Sequence, residues 1–300
     1  MTTVPSEAVP TLPAAADSRR KASASRLIPT LTMQIIEQTI VGKHSPATCE
    51  DGIVVTPDFI AVIDGSTSKS PIRIAPTMSN GRLCMEAVVQ YIRTQLAADA
   101  TLDDFCRGIT DYIASIYRHH AIDIQRLSAH PWERPTASAA IYSRHRNEIW
   151  LVGDCQCLTQ GQRYAIEKPA EHIAAEKRAA RLRQALAQGA RLEDLQANDI
   201  GRAAIYADLL DSCKRQNKDF AVIDGFPIAM QHVAALPAGA TVVLATDGYP
   251  FLHDTLCASE RHLQALLSTD PLCIHHYVAT KGVIPGNQSF DDRAYIRFDT

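Results

Sequence analysis

Apolar and polar positions fall into short alternating or continuous blocks along the chain, and these blocks predict strands near both ends with helices between them. Residues 31–41, Leu-Thr-Met-Gln-Ile-Ile-Glu-Gln-Thr-Ile-Val, are β-branched and partly alternating, and Gly42 closes them, so a strand is expected there. Strands at 52–55 and 58–63 follow, joined at Thr56-Pro57, and the three together predict an antiparallel meander. Apolar residues then recur at helical spacing, first Leu83, Ala87, Val88, Tyr91 and Ile92, then Phe105, Ile109, Tyr112, Ile113 and Ile116. They predict amphipathic helices over 80–97 and 102–127, the second capped by Thr101 or Asp99.

Strand character returns at 137–142 and 148–152, around a polar hairpin loop at 143–147, with short strands expected near Cys157 and Arg163. The stretch 170–188 is Ala-rich and basic, and 199–216 is a second helix candidate. Together they read as a helical insertion or flap over about 168–220. The last third predicts strands at 233–236 and 241–245, helices around 259–267 and 271–280, and a closing strand at 293–298. Strand groups separated by helix pairs, without βαβ alternation, predict an α+β fold with antiparallel sheets.

Composition narrows the function classes. The chain of 300 residues is 46% hydrophobic and 21% charged, enough for a substantial core. Lys and Arg number 30 against 33 Asp and Glu, so no global basic field draws nucleic acid or an anionic membrane. No apolar run approaches the ~20 residues of a membrane-spanning helix, and no secretory signal is apparent, so the cytoplasm is the expected location. Residues 1–30 are rich in Ala, Ser, Thr and Pro and predict a disordered tail ahead of one domain at 31–300. The 8 cysteines are scattered through apolar runs, which predicts reduced, buried thiols; Cys155 and Cys157 lack the second Cys/His pair that a zinc site needs.

The candidate chemistry lies in acidic residues at strand ends. Of four Asp-Gly pairs, Asp64-Gly65 closes Phe-Ile-Ala-Val-Ile and Asp247-Gly248 closes Thr-Val-Val-Leu-Ala-Thr, two runs that read as buried strands. An acid at such a place must be paired, hydrogen-bonded or metal-bound. With Glu50-Asp51 upstream and Asp291-Asp292 before the last strand, carboxylates converge from four places. Hard oxygen donors without a matching His or Cys set favour Mg²⁺ or Mn²⁺ over zinc.

These blocks resemble the metal-dependent protein phosphatases of type 2C, the PPM family. The residues that carry the resemblance are Glu50-Asp51, Ala61-Val62-Ile63-Asp64-Gly65, Thr136-Ala137-Ser138-Ala139-Ala140, Leu151-Val152-Gly153-Asp154, Gly239-Ala240-Thr241-Val242-Val243-Leu244-Ala245-Thr246-Asp247-Gly248 and Phe290-Asp291-Asp292-Arg293. The resemblance implies two central antiparallel β-sheets sandwiched between helices, with two Mg²⁺ or Mn²⁺ ions in a cleft at one end. It implies that Asp64 bridges both ions, that Asp247 and Asp291 complete one, and that Glu50 and the Gly65 carbonyl serve the other. Asp51 is then a supporting partner, and Asp154 is structural. The implied activity is hydrolysis of phosphoserine and phosphothreonine in a phosphorylated protein or peptide, by a metal-activated water.

The chain departs from that pattern in several places. Where an arginine often precedes the glutamate by four residues stands Pro46, with Lys43 and His44 as nearby substitutes. Ser66-Thr67-Ser68-Lys69-Ser70 replaces a glycine-rich run, and Ser66 stands where some members carry a leaving-group acid. Asp292 stands where asparagine is usual, leaving Asp291 and Asp292 both open as ligand. Ala221-Val222-Ile223-Asp224-Gly225 repeats the Asp64 block, so Asp224 is a rival ligand, with Asp64 favoured for its spacing from Glu50. His119-His120 and His275-His276 are expected in or beside helices as packing residues, and Lys177, Arg178, Arg181 and Arg183 as a solvated helix face. A non-catalytic phosphatase-like binding module and an unrelated hydrolase of a small phosphorylated metabolite are the rival readings.

Overall fold

The computed structural model describes residues 33–300, so the tail expected at 1–30 and the start of the first expected strand lie outside the described residues. Two five-stranded antiparallel sheets form the centre. One has the order β2 (Asp51–Val55), β3 (Phe59–Gly65), β4 (Ala137–Ser143), β5 (Glu148–Val152), β8 (Val233–Pro237). The other has the order β1 (Gln34–Val41), β10 (Arg293–Asp299), β9 (Thr241–Ala245), β6 (Gln156–Thr159), β7 (Gln162–Ala165). The architecture is therefore α+β, as the pattern predicts. The expected meander fails in one respect: β1 pairs with β10 in the opposite sheet, and only β2 and β3 pair with each other.

The packing explains why the strands read as near-continuous apolar runs. Alternate residues of the central strands face the partner sheet or an outer helix layer, and both destinations are dry, whereas β1 and β7 are half-exposed. Ile60, Val62, Ala140, Tyr142 and Leu151 meet Val242, Leu244, Ile296 and Phe298 between the sheets. The neighbours Ala61, Ile63, Ile141 and Trp150 point the other way, against α1 (Asn80–Thr94) and α2 (Leu102–His119). On the far side Val243, Ala245 and Tyr295 pack under α8 (Leu256–Thr269).

Local chemistry sets the helix boundaries. Thr101 and Asp104 form a reciprocal capping box that starts α2. The helix expected to run to 127 instead ends at His119, because Ala121 takes φ +52° and Asp123 caps a separate α3 (Ile124–Ala129). Between β7 and β8 lie α4 (Pro169–Ala187), α5 (Leu192–Ala197), α6 (Ile200–Ala204) and α7 (Tyr206–Lys214). The helix expected over 199–216 is thus two helices, and α5 was not expected. Arg178, expected in solvent, is fully buried: it pairs with Asp199 and donates to the carbonyls of Leu272 and Ala279.

The helix expected over 271–280 does not form. The Asp270 carboxylate accepts the backbone N–H groups of Ile274, His275 and His276, and Cys273 takes φ +50°, so the side chain satisfies the amides that a helix would use. His275 and His276 accordingly sit on a loop. All eight cysteines are unpaired and seven are buried; Cys155 and Cys157 lie in the intersheet core, where burial pushes the Cys157 thiol up to about 12. No described helix is long and apolar enough to cross a membrane.

Candidate metal centre

The acids gather where the two sheets meet at one end of the sandwich. Antiparallel register sets Asp51 of β2 opposite Asp64 of β3, and Asp64 opposite Ser138 of β4. The other sheet contributes Asp247, two residues beyond β9, and Asp291-Asp292, immediately before β10. Two glycines allow the close approach. A Cβ on Gly65 would lie 2.4 Å from the Gly81 carbonyl oxygen and 2.6 Å from that of Glu50, and a Cβ on Gly248 would lie 2.0 Å from the Asp292 carbonyl oxygen.

The hydrogen bonds divide these acids into two groups. In the first, Glu50 accepts from Ser79 Oγ at 2.5 Å and from Thr67 Oγ1 at 3.1 Å. Ser79 is also the N-cap of α1, so that helix and Glu50 fix each other. Asp292 accepts the backbone N–H of Lys43 at 2.7 Å and of Glu50 at 3.1 Å, which commits it to holding the chain. Of the two, Asp291 lines the pocket and Asp292 does not. Asp291 takes Lys43 Nζ at 3.1 Å and pairs with Lys281. Although burial pushes its carboxyl upward, Lys281 and Lys43 hold it below the ordinary carboxylate range.

Among the described residues the second group, Asp51, Asp64 and Asp247, forms no salt bridge, although the Lys281 charge acts on Asp247. Burial first, and then the negative charge of neighbouring acids, push all three carboxyls well above their ordinary range, against a hydrogen bond from Thr246 that lowers Asp51. Asp51 Oδ2 and Asp247 Oδ1 are buried without a hydrogen-bond partner. Asp64 and Asp247 are within side-chain hydrogen-bond reach of each other. Asp154 stands beside them, held by Ser138 Oγ at 2.5 Å and Lys168 Nζ at 2.7 Å.

The donors on the Asp64–Asp247 side fit a hard divalent cation: they are oxygens, they carry unbalanced negative charge, and two of the oxygens around them lack partners. The Glu50–Asp291–Asp292 side is already matched by ammonium groups. Among the described residues no three Asp, Glu, His or Cys side chains are disposed to hold one ion together.

The rival Asp224 lies elsewhere. It is fully buried, takes Arg134 at 2.9 Å and Asn217 at 3.1 Å, and accepts the Phe226 N–H at 3.0 Å. These partners make it a structural anchor for the segment that bridges to β4 at Ala137.

Four cations that the sequence pattern left unassigned also line the site. Lys69, Lys168, Arg202 and Lys281 share one pocket with Asp64, Asp154 and Asp291. Lys69 donates to Ser66 Oγ at 3.0 Å and to the Thr67 carbonyl at 2.7 Å, while Arg202 of α6 donates to the Thr280 carbonyl at 2.7 Å. Burial, followed in order by several opposed charges, lowers the Lys69 ammonium; Lys281 and Arg202 are the cations among them. Lys43, a substitute expected for the phosphate clamp, is engaged with carboxylates, and His44 is exposed beside Asn287. Only the Lys69 position lay in a segment singled out by its departure from a pattern. Arg202 and Lys281 reach the site through tertiary contacts and have no local signature.

Several solved structures are similar to this chain. The serine/threonine phosphatase PstP/Ppp of Mycobacterium tuberculosis matches at 12% identity and TM-score 0.40, covering 90% of this chain and 99% of that one. The catalytic domain of PstP in complex with 2 manganese ions matches at 13% identity and TM-score 0.42, covering 89% and 99%. The PPM Ser-Thr phosphatase MsPP from Mycobacterium smegmatis, in complex with cacodylate, matches at 13% identity and TM-score 0.42, covering 89% and 99%. No protein-family model and no curated protein matches the chain.

Proposed function

We propose that the chain is a metal-dependent phosphomonoester hydrolase that removes phosphate from phosphoserine or phosphothreonine in proteins. One observation carries the reading: a single pocket joins the unpaired strand-end carboxylate of Asp64, flanked by Asp154 and Asp291, to a wall of cations. The carboxylates are suited to a divalent ion, and Lys69, Arg202 and Lys281 are suited to a phosphate dianion.

A bound Mg²⁺ or Mn²⁺ would supply a water whose proton is lost near neutral pH. The chain's own residues do the rest of the work. Asp64 and Asp247 would hold the ion, and Asp51 faces Asp64 across β2 and β3. Asp154, fixed by Ser138 and Lys168, orients the neighbouring strand end. Lys69 and Arg202 bind and orient the phosphoryl oxygens. Ser66, where some members carry the leaving-group acid, accepts from Lys69, and protonation of the departing group falls to water or another group. In this reading 31–300 is one catalytic domain, and the helices between β7 and β8 act as a flap that brings Arg202 over the pocket. A cytoplasmic setting suits its eight unpaired thiols.

Hydrolysis of p-nitrophenyl phosphate with and without Mn²⁺ tests the reaction, and a phosphopeptide panel against sugar phosphates tests the substrate class. Wild type without activity, or activity untouched by Asp64→Asn or Asp247→Asn, would sink the proposal. The lysines among the acids favour a second reading, a phosphopeptide-binding domain without turnover. Tight phosphopeptide binding with no hydrolysis at any Mn²⁺ concentration would select it.

A further inference from the structure

Lys43 stands on the segment that leaves β1, and its ammonium enters the acidic cluster. Nζ lies 3.1 Å from Asp291 Oδ1, 3.1 Å from Asp292 Oδ2, 3.7 Å from Glu50 Oε2 and 3.2 Å from Thr67 Oγ1. Three carboxylates and a hydroxyl thus surround one positive charge. Every carboxylate oxygen of this group has a partner. Glu50 is held by Ser79 and Thr67, and Asp292 by Lys43 and two backbone amides. Asp291 is held by Lys43, Lys281 and the Asp292 amide. For the remaining acids the situation reverses: Asp51 is only 5% exposed, yet its Oδ2 has no partner, and neither has Asp247 Oδ1.

We propose that Lys43 fills the place of a second cation, so that the chain binds one divalent ion, on the Asp64–Asp247 side. The inference rests on the metal-dependent reading given above. It has a chemical consequence, because an ammonium neutralises charge and donates hydrogen bonds but has no vacant coordination site. Activation of water is then confined to one ion. Negative charge on the Glu50–Asp291 side is balanced by a side chain that no chelator removes, a built-in counter-ion for that half of the site.

Metal stoichiometry tests this without reference to turnover. Mn²⁺ is titrated into the full chain by calorimetry, with bound metal counted after equilibrium dialysis and the spin state read by electron paramagnetic resonance. Wild type is expected to bind one Mn²⁺ per chain, with the resolved hyperfine pattern of an isolated ion. Lys43→Gln, which removes the charge and keeps much of the length, is expected to bind two and to show exchange coupling between them. Lys43→Arg keeps the charge and is expected to stay at one. Two ions in wild type would overturn the inference while leaving the hydrolase reading intact; no ion in wild type would overturn both. One ion in a folded Lys43→Gln, checked by circular dichroism, would also overturn it, and the wild-type count stands as a test even if that variant fails to fold.

Discussion

At the scale of single residues, the site separates acids that need a cation from acids that already have one. Asp64 and Asp224 close identical five-residue blocks, yet Asp224 is tied to Arg134, Asn217 and Phe226 while the Asp64 half of the site lacks compensating charge. Asp224→Ala is therefore expected to destabilise the protein by about 3–5 kcal/mol, since it strands the guanidinium of a buried pair. Its Mn²⁺ affinity should not change. A urea melt paired with a Mn²⁺ titration checks this, and lost Mn²⁺ binding in a stably folded variant would return Asp224 to the list of ligands. Lys69→Met and Arg202→Met should raise KM for a phosphomonoester about 10–100-fold each, the loss of one charge-assisted contact of about 1.5–3 kcal/mol. Steady-state kinetics on the two variants decides, and unchanged KM in both would remove these cations from the phosphate site. The strand-end acids were legible because an acid after a buried apolar run demands an explanation within the local sequence. Lys281 and Arg202 were not, because a lysine on a loop and an arginine on a short helix look the same whether they face solvent or a pocket.

At the scale of elements, the strands were legible and the helix boundaries were not. Dry surfaces on both sides of the central strands leave a strong apolar signature in β3, β4, β5 and β9, whereas capping and side-chain competition decide where helices stop. Asp270 shows the second effect. Burial pushes its carboxyl upward, but the three amides it accepts hold it below the ordinary range. Because the folded pKa is depressed, the stabilisation is present above the unfolded value and is lost as pH falls toward the folded one. Asp270→Asn should thus flatten the acid limb of the stability profile below about pH 4 and weaken the loop that leads to Lys281. Stability measured against pH in both proteins checks this, and parallel acid limbs would refute it. Gly81, in the first turn of α1, gives an opposite lesson. Alanine is favoured over glycine in helices by up to about 1 kcal/mol. A Cβ here would nevertheless lie 2.7 Å from Glu50 Oε1 and 2.5 Å from the Ser66 carbonyl oxygen. Gly81→Ala should cost activity even if the helix itself tolerates it.

At the scale of the whole molecule, the candidate centre joins the two sheets. Asp51 and Asp64 belong to one sheet, and Asp247 and Asp291 flank strands of the other, so like charges face each other across the open end of the sandwich. Without a divalent ion, each carboxylate of the Asp51–Asp64–Asp247 group opposes the closure that the intersheet core favours. An ion held between Asp64 and Asp247 would convert that repulsion into a tie between the sheets. It would stabilise the native state by about 2.7 kcal/mol at a hundred times its dissociation constant, a rise in Tm of about 5 °C for a domain of this size. Asp247→Asn separates the two effects, because it removes a negative charge and a ligand together. The metal-free variant should melt at or above the temperature of metal-free wild type, and Mn²⁺ should no longer raise it. Calorimetric scans of both proteins with EDTA and with Mn²⁺ read each effect directly. A variant that is less stable than wild type in EDTA and still gains the full Mn²⁺ shift would place the ion elsewhere and leave Asp247 as an ordinary turn residue.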